Sequence, residues 1–206
     1  MPQTRIGKQW DERYAACNGL LFGAEPSRFV VEHAHLIRPG ARVLSLADGE
    51  GRNSVFLAGN GADVHAVEIS PTAIGRAQQL ASDRGVRVHF EQADLLNWSW
   101  PRNSYDAVAA VFMQFVTPAD RPKLFTRIVE SLRPGGVLLL HGYRPEQIKY
   151  ATGGPSDPSH CYTEDLLRDA FKSLEIMKLV SYDAPLQEGT AHVGVSALID
   201  LVARRR

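Results

Sequence analysis

The sequence predicts a doubly wound α/β fold, with a seven-stranded sheet that is mostly parallel and has an antiparallel last strand. Strand-like and helix-like segments alternate from about residue 40 to residue 145, which is typical of a parallel sheet covered on both faces. A connection too short for a helix joins the last two strands, so they must pair antiparallel. The 206 residues, of which 44% are hydrophobic, suffice for one domain with a full core.

The first three strands are separated by two helices with recognisable ends. Residues 42–46 predict an apolar strand that runs into a glycine turn, and residues 52–58 predict the helix that follows. After the second strand, residues 63–69, Ser70 caps a helix that has proline in its first position. Residues 86–91 alternate apolar and polar side chains and therefore predict the third strand.

The second half of the sheet begins with a more continuously apolar segment. Residues 105–115 predict a central fourth strand, because a strand buried on both faces has few polar residues. A helix that starts at Thr117 and a glycine turn then lead into the fifth strand, residues 137–143. A further capped helix precedes the final hairpin, which consists of residues 176–182 and 192–202.

Composition and charge argue against several classes of function. Basic and acidic residues both number 23, so the net charge is zero and no broad positive surface is expected to bind nucleic acid. Cys17 and Cys161 are too few for a disulfide framework, and no His, Cys and carboxylate cluster has metal-ligand spacing. No apolar run reaches the ~18 residues that cross a bilayer, and residues 1–12 lack the apolar core of a signal peptide. We therefore expect a cytoplasmic protein without a metal, nucleic-acid or membrane partner; the oligomeric state stays open.

The turn after the first strand is the strongest indication of a ligand. Gly49 and Gly51 lack a Cβ, so the backbone bends sharply there and a ligand can lie against it, facing free amides of the next helix. Glu68 ends the second strand 17 residues after Gly51, close to the spacing at which an acid binds ribose hydroxyls. Together these residues predict a nucleoside-binding site of Rossmann-like type.

A nicotinamide or flavin dinucleotide is the alternative ligand for such a turn. Dinucleotide sites use a third glycine or alanine that lets helix and strand pack closely around the pyrophosphate. This sequence has Ser54 at that position. The dinucleotide is therefore the less favoured ligand, and an NAD(P)-dependent oxidoreductase is the less favoured function.

Segments along nearly the whole chain resemble the class I S-adenosylmethionine-dependent methyltransferases, and within them the small-molecule branch that includes tellurite-resistance and thiopurine methyltransferases. These segments are residues 10–14, 22–27, 44–53, 66–68, 92–95, 132–136 and 188–194. The resemblance implies one methyltransferase domain, residues 1–206, with an N-terminal lid over residues 1–38 and a Rossmann-like core over residues 39–206. It also implies S-adenosylmethionine as the cofactor and S-adenosylhomocysteine as the product.

The same resemblance implies where the cofactor contacts the chain. The glycine turn approaches its methionine portion, Glu68 accepts from the ribose hydroxyls, and Asp94 borders the adenine. The implied cofactor-binding residues are Tyr14, Ala47, Asp48, Gly49, Gly51, Arg52, Asn53, Glu68, Ile69, Ala93, Asp94, Leu95, Val111 and Phe112.

One part of the glycine turn departs from the family pattern. The family commonly has an acidic residue where this chain has Ser45 and a glycine where it has Ala47, and the acid helps to hold the ammonium group of the cofactor. Asp48 is the nearest acid on the turn that could replace it, since an uncompensated ammonium in a partly dry cleft is costly. Alternatively, Asp48 only caps the following helix. The sequence leaves both roles open.

Contacts with the methyl acceptor are expected at the carboxyl edge of the sheet, where the final hairpin turn also emerges. His192 is the candidate catalytic residue, because residues 188–194 resemble a hairpin of the tellurite-resistance relatives in which a histidine faces the acceptor. A core or solvated histidine without a catalytic role is the alternative. The other candidate acceptor contacts are Trp10, Phe22, Phe115, His141, Tyr143 and His160.

The acceptor is expected to be a small molecule with a soft nucleophile, such as a thiol or a chalcogen oxyanion. Attack on a sulfonium methyl displaces a neutral thioether, so the protein mainly has to align the reactants and exclude water. A base is needed only for an acceptor that arrives protonated. A non-catalytic S-adenosylmethionine-binding subunit or sensor is the second alternative, since nothing in the motifs excludes it.

Overall fold

The structure, a computed structural model, describes residues 4–206 and contains a sheet of seven strands. The strands are β1 (Arg42–Leu46), β2 (Asp63–Glu68), β3 (His89–Gln92), β4 (Tyr105–Val111), β5 (Leu132–Tyr143), β6 (Leu174–Glu188) and β7 (His192–Arg205). Their order is β3-β2-β1-β4-β5-β7-β6; neighbours from β3 to β5 are parallel, whereas β7 is antiparallel to both β5 and β6. The predicted fold class is confirmed. Residues 1–3, which the expected lid includes, lie outside the described residues.

Helices connect most of these strands, and two of them have the side-chain caps that the sequence indicates. The helices are α1 (Arg5–Ala15), α2 (Arg28–His33), α3 (Arg52–Gly59), α4 (Pro71–Asp83), α5 (Arg121–Ser131), α6 (Gln147–Tyr150) and α7 (Glu164–Ala170). Ser70 Oγ accepts from Ala73 N at 3.1 Å, and Thr163 Oγ1 accepts from Leu166 N at 3.2 Å. Each hydroxyl satisfies an amide that has no partner within its helix.

Apolar layers cover both faces of the sheet. On one face Val108 and Leu138 pack with Ile128 of α5, and on the other Val43 and Leu139 pack in the layer that contains α3. Because successive residues of a strand point to opposite faces, a strand buried on both sides is apolar throughout. The helices occupy the faces, so the loops lie at the two ends of the strands.

Strands β3 and β4 are shorter than the sequence predicts. Strand β3 begins at His89 instead of residue 86, because Val86 N donates to Ala81 O at 3.0 Å and so belongs to the turn that ends α4. Strand β4 ends at Val111 instead of residue 115. Phe112 has a left-handed backbone, with φ of 53°, so the chain leaves the sheet there although Met113 and Phe115 are apolar.

The helix and strand that follow β4 also have different starts. Thr117 forms a turn of its own, in which Asp120 N donates to the Thr117 carbonyl at 3.2 Å, so α5 starts at Arg121. Strand β5 starts at Leu132 instead of residue 137. The expected glycine turn is an irregularity within this strand, where the register with β4 shifts between the pairs formed by Tyr105 and Ala107.

The final hairpin is longer than predicted. Strand β6 continues to Glu188 and β7 starts at His192, so the connection shrinks to residues 189–191. Pro185 lies inside β6, which is tolerated because β6 is at the edge of the sheet. The hairpin turn emerges beside the carboxyl ends of the parallel strands, as expected from the antiparallel pairing.

Three properties of residues 4–206 bear on partners. None of the helices in this range combines the length and the apolar character needed to cross a bilayer. The same residues contain no group of three or more His, Cys, Asp or Glu side chains able to hold a metal ion. Cys17 and Cys161 are both free thiols.

Candidate active site

A cavity lies at the carboxyl edge of the sheet, between the strand ends and the N-terminal segment. Its walls come from α1, from the turn after β1, from the ends of the parallel strands and from the start of β7. The predicted site residues that line it are Trp10, Tyr14, Phe22, Ala47, Asp48, Gly49, Arg52, Asn53, Glu68, Ile69, Ala93, Asp94, Leu95, Val111, Phe112, Phe115, Tyr143 and His192. The topology thus brings distant parts of the chain into one cleft.

The two glycines of the turn have different neighbours. Both have left-handed backbones, with φ of +62° at Gly49 and +87° at Gly51, which L side chains rarely adopt. A Cβ on Gly49 would lie 2.8 Å from Tyr14 Oη, at the cavity. A Cβ on Gly51 would lie 2.8 Å from the Cβ of Ala77 in α4. Gly51 does not line the cavity, so its structural role is the close packing of α3 and α4 in place of the expected cofactor contact.

Glu68 presents its carboxylate to the cavity at the end of β2. Its Oε2 accepts from Gly49 N at 2.9 Å, and its Oε1 accepts from the amides of Ile69 and Ser70, each at 2.9 Å. Burial raises the pKa of this carboxyl, and the three amides oppose the increase. Because a carboxylate oxygen accepts two hydrogen bonds, Oε2 keeps one acceptor position for a hydroxyl group.

Asp48 is held between β1 and α3 by two hydroxyls. Ser45 Oγ donates to its Oδ1 at 2.6 Å, and Ser54 Oγ donates to its Oδ2 at 2.5 Å. Burial raises the pKa of Asp48, and the two hydroxyls oppose that increase. The contact with Ser54 ties the carboxylate to the first turn of α3, in line with the capping alternative, while Asp48 also lines the cavity. Ser54, the residue that argues against a dinucleotide, thus has a hydrogen-bonding role here.

Apolar residues form the wall beyond Glu68. Ile69, Ala93 and Leu95 line this part of the cavity. Asp94 also lines it, but its Oδ1 accepts from Leu96 N at 3.0 Å and its Oδ2 accepts from an asparagine side chain in the same turn. The carboxylate therefore stabilises the turn after β3, and the neighbouring side chains offer a surface for a flat apolar group.

Three aromatic rings of the N-terminal segment close the cavity. The ring centroids of Trp10 and Tyr14 are 5.9 Å apart, and those of Tyr14 and Phe22 are 6.2 Å apart. Tyr14 is buried, and all three residues line the cavity. Large aromatic surfaces exclude water from a cleft, which is the property expected of a lid.

Glu50 and Arg76 hold the segment of these aromatic residues against the glycine turn. Glu50 Oε2 accepts from Leu21 N at 2.7 Å and from Phe22 N at 3.3 Å, while its Oε1 accepts from Arg76 Nη1 at 2.8 Å. Arg76 Nη2 also donates to the Cys17 carbonyl at 2.7 Å. The residue between the two glycines therefore fixes the backbone of the covering segment.

A charged group lies at the other end of the cavity. Arg52 Nη2 donates to Glu188 Oε2 at 2.8 Å, and the same oxygen is 3.2 Å from His192 Nδ1. Burial acts to raise the pKa of Glu188, but the hydrogen bond with His192 and the Arg52 guanidinium lower it to about 2. Since a carboxylate only accepts, His192 Nδ1 carries the proton and Nε2 has the free lone pair.

His192 is surrounded by aromatic rings at the cavity. Its ring centroid is 4.6 Å from those of Phe22 and Phe112 and 5.6 Å from that of Tyr143. Burial lowers the pKa of His192, and the Glu188 carboxylate opposes this decrease. The imidazole is therefore neutral at pH 7, which is the form that can accept a proton.

Two of the expected acceptor contacts lie elsewhere. His141 is buried beside β7, where its Nδ1 is 2.7 Å from Asp200 Oδ1 and its ring stacks on Phe29. His160 Nδ1 is 3.2 Å from the carbonyl oxygen of Gln114. Neither histidine lines the cavity, so both are corrected from acceptor contacts to structural residues. The contact with Asp200, its partner in the β5–β7 pair, and the stack on Phe29 hold the His141 ring against the face of the sheet.

The cavity also contains residues that the sequence did not indicate as site residues. Gln114 is one of them, and its only signal in the sequence is its place after β4. Glu188, which the hairpin places near the mouth of the cleft together with His192, does not line the cavity and acts through its contacts with Arg52 and His192. Gln114 Oε1 accepts from Tyr143 N at 2.6 Å, and its Nε2 donates to the Tyr143 carbonyl at 2.9 Å, so it positions Tyr143. The further lining residues are Ile6, Arg13, Ser45, Leu46, Val67, Gly154 and Pro155.

Comparison with known proteins gives matches over the glycine turn and the central strands. A family model described as a methyltransferase domain matches residues 43–136. Demethylmenaquinone methyltransferase of Thermus thermophilus is 34% identical over 138 residues, which are 65% of this chain and 62% of that protein. Phosphoethanolamine N-methyltransferase 3 of Arabidopsis thaliana is 30% identical over 122 residues, 59% of this chain and 24% of that protein. Over residues 43–136 the chain therefore resembles a methyltransferase domain, and both of these relatives are named as methyltransferases.

Solved structures share the fold of this chain. A protein from a study of the conversion of a disulfide bond into a thioacetal group during echinomycin biosynthesis aligns with a TM-score of 0.77 and 23% identity, over 98% of this chain and 92% of that one. TehB from Haemophilus influenzae aligns with a TM-score of 0.70 and 19% identity, over 86% and 61%. At these identities the likeness shows the fold alone. The chain spans less than two thirds of the curated relatives, with 62% and 24% of the two named above.

The residues of the cavity fit S-adenosylmethionine, the cofactor that the resemblance to methyltransferases implies. Glu68 Oε2 has an acceptor position for a sugar hydroxyl, and Ala93 and Leu95 form a wall for a flat heterocycle. Asp48 offers a negative charge near the glycine turn, and Gly49 leaves room there for a ligand close to the backbone. A nucleoside with a cationic amino-acid end, which is what S-adenosylmethionine is, matches each of these groups.

Proposed function

We propose that this protein transfers a methyl group from S-adenosylmethionine to a small-molecule acceptor with a soft nucleophile, such as a thiol or a chalcogen oxyanion. The observation that carries the proposal is one cavity with two unlike ends. Glu68 and the glycine turn form one end, and the buried His192 among aromatic rings forms the other. A cleft covered by Trp10 and Phe22 suits an acceptor small enough to be enclosed.

Catalysis in this site consists mainly of alignment and exclusion of water. Bound S-adenosylmethionine supplies an electrophilic methyl group on a sulfonium, whose leaving thioether is neutral and needs no acid. Glu68 would hold the ribose of the bound cofactor, and the aromatic residues of the N-terminal segment shield the cleft. Fixing two reactants in line converts a bimolecular step into an effectively unimolecular one.

His192 has a defined role when the acceptor arrives protonated. Its Nε2 lone pair accepts the proton of the nucleophile, and the Glu188 carboxylate, 3.2 Å from Nδ1, stabilises the imidazolium that results. When the acceptor is already an anion, no proton has to be removed. His192 then contributes to acceptor binding.

The proposal includes the family branch, the domain organisation, the cellular location and the partners of the protein. The tellurite-resistance and thiopurine-like branch is supported by the resemblance of residues 188–194 and by the histidine that this hairpin carries to the cavity. We further propose one domain in which residues 1–38 act as a lid on a core of residues 39–206, working in the cytoplasm without nucleic-acid or membrane partners. The zero net charge supports the absence of a nucleic-acid partner.

Calorimetry and turnover assays together test this function. We expect S-adenosylhomocysteine to bind with micromolar affinity, and S-adenosylmethionine to be converted to S-adenosylhomocysteine when thiols and chalcogen oxyanions are supplied. Binding without turnover over a broad acceptor panel would instead favour a non-catalytic subunit or sensor. Absence of binding would refute the proposed cofactor.

A further inference from the structure

Two residues that line the cavity each have a buried side-chain polar atom without a hydrogen-bond partner among the described residues. These atoms are Arg52 Nη1 and Tyr143 Oη. Arg52 is 7% exposed and Tyr143 is 1% exposed, and both residues line the cavity. Native proteins pair nearly all of their buried polar groups, so two orphaned groups in one cleft indicate a ligand.

The two groups belong to one cluster around His192. Glu188 links Arg52 to His192, since its Oε2 contacts both side chains. The Tyr143 ring is 5.6 Å from the His192 ring. A Cβ on Gly153 would lie 3.5 Å from Tyr143 Oη and 3.2 Å from His192 Cδ2, so the side chains of Tyr143 and His192 approach the same residue of the loop.

Both orphaned groups donate hydrogen bonds. The guanidinium of Arg52 has only N–H donors, and Glu188 accepts from its Nη2 alone. Burial raises the pKa of Tyr143, and the Glu188 carboxylate adds to that increase, so the phenol keeps its proton. Arg13 adds a second positive charge at the cavity. Two donors and a cation complement a group that only accepts, such as a carboxylate.

We propose that Arg52 Nη1 and Tyr143 Oη form an oxyanion subsite that binds a carboxylate of the methyl acceptor, while His192 Nε2 faces its nucleophile. The inference rests on the proposed function, because it specifies the acceptor of that site. Phe22 and Phe112, whose rings flank His192, provide the surface for the organic body of the acceptor. The substrate class is therefore a small organic acid that carries the nucleophile close to its carboxylate.

The position of the two donors in the cleft indicates whether they bind the carboxylate of the acceptor or the carboxylate of the cofactor. Asp48 and Glu68 put negative charge at the glycine turn, which suits the ammonium and hydroxyl groups of the cofactor. Arg52 Nη1 and Tyr143 Oη instead accompany His192. We therefore assign their ligand to the acceptor.

Calorimetry with a pair of isosteric probes tests the subsite. The intact protein, saturated with S-adenosylhomocysteine, is titrated with phenylacetate and with its neutral analogue phenylacetamide. We expect phenylacetate to bind at least tenfold more tightly than phenylacetamide. Tyr143→Phe, which removes only the hydroxyl, should weaken phenylacetate binding at least threefold, and Arg52→Gln more strongly. S-adenosylhomocysteine affinity should stay within twofold for Tyr143→Phe.

A control variant and a second titration distinguish a failure of the proposed subsite from a failure of the proposed function. Tyr150→Phe removes a hydroxyl that binds Asp183 at an exposed site, and it should change neither affinity. Equal affinities for the two probes, or no phenylacetate binding, would overturn the proposal. So would a Tyr143→Phe variant that loses S-adenosylhomocysteine affinity, since the donors would then hold the cofactor. If the wild type does not bind S-adenosylhomocysteine, the proposed function fails, and the same probes titrated into the protein alone still decide on the subsite.

Discussion

Glu50→Gln is expected to weaken cofactor binding while leaving the sheet folded. Glu50 lies between the two glycines of the turn and is only 3% exposed. Its carboxylate accepts from the amides of Leu21 and Phe22 and from Arg76, so it connects the N-terminal segment to the cofactor end of the cleft. Glutamine has the same shape but keeps only one acceptor oxygen.

The size of the effect follows from the partner that is lost. When the remaining oxygen accepts from the two amides, the glutamine NH2 faces the Arg76 guanidinium. A hydrogen bond to a charged group contributes about 1.5–3 kcal/mol. We take about 1.5–2 kcal/mol, because the Arg76 side chain is 24% exposed and water can partly replace the carboxylate. Tyr14 and Trp10 of the same segment line the cofactor site. The loss of this free energy therefore corresponds to a roughly 10–30-fold higher Kd for S-adenosylhomocysteine.

Calorimetry with S-adenosylhomocysteine and amide hydrogen exchange together measure this effect. The exchange of residues 5–22 should accelerate in the variant, while the amides of the central strands keep their protection. Glu25→Gln is the matched control, because Glu25 pairs with Arg84 in the same part of the chain but its side chain is 81% exposed. Affinity within twofold of the wild type, with unchanged exchange at residues 5–22, would refute the reasoning, and so would an equal loss in the control.

Three further substitutions test other parts of the site. Glu68→Gln should weaken S-adenosylhomocysteine binding about tenfold, since one charge-assisted hydrogen bond contributes about 1.5–3 kcal/mol; equal calorimetric affinity would exclude the ribose contact. Gly51→Ala should destabilise the fold by about 1–3 kcal/mol in thermal unfolding, because the added Cβ meets Ala77. Gly75→Ala is the control and should not destabilise the fold, because no atom lies within 4 Å of the added Cβ. His192→Gln should lower turnover of a protonated acceptor roughly 10²–10⁴-fold at nearly constant cofactor affinity. Unchanged kinetics of this variant would exclude His192 as the base. Burial lowers the pKa of His192 from its usual 6.5, so the activity of the wild type should hold at neutral pH and fall only as the pH drops below 6.5.

The errors in the element boundaries share a physical cause. Residues 112–115 are apolar enough to extend β4, yet the chain turns at Phe112, whose amide donates to the His141 carbonyl at 2.8 Å. Conversely, β6 runs through Pro185 because it is at the edge of the sheet. Hydrophobic periodicity reports which faces of a segment are buried. It does not indicate where a neighbouring strand offers hydrogen-bond partners and where it no longer does.

The order of strands and helices, the cap at Ser70, the glycine turn and Glu68 were all readable from the sequence. Their signals are local, since a cap, a left-handed glycine and an apolar period each depend on a few neighbouring residues. The antiparallel hairpin was readable as well, because the length of its connection limits the geometry.

The polar end of the cleft depended on the tertiary structure. Arg52 and Glu188 are 136 residues apart in sequence, and no local pattern brings them together. The same holds for Gly51, which has the sequence context of a cofactor contact but packs on Ala77. It also holds for His141, whose contact with Asp200 depends on the pairing of β5 with β7. Proximity between distant segments is set by sheet order and side-chain direction, and these emerge only when the whole core packs.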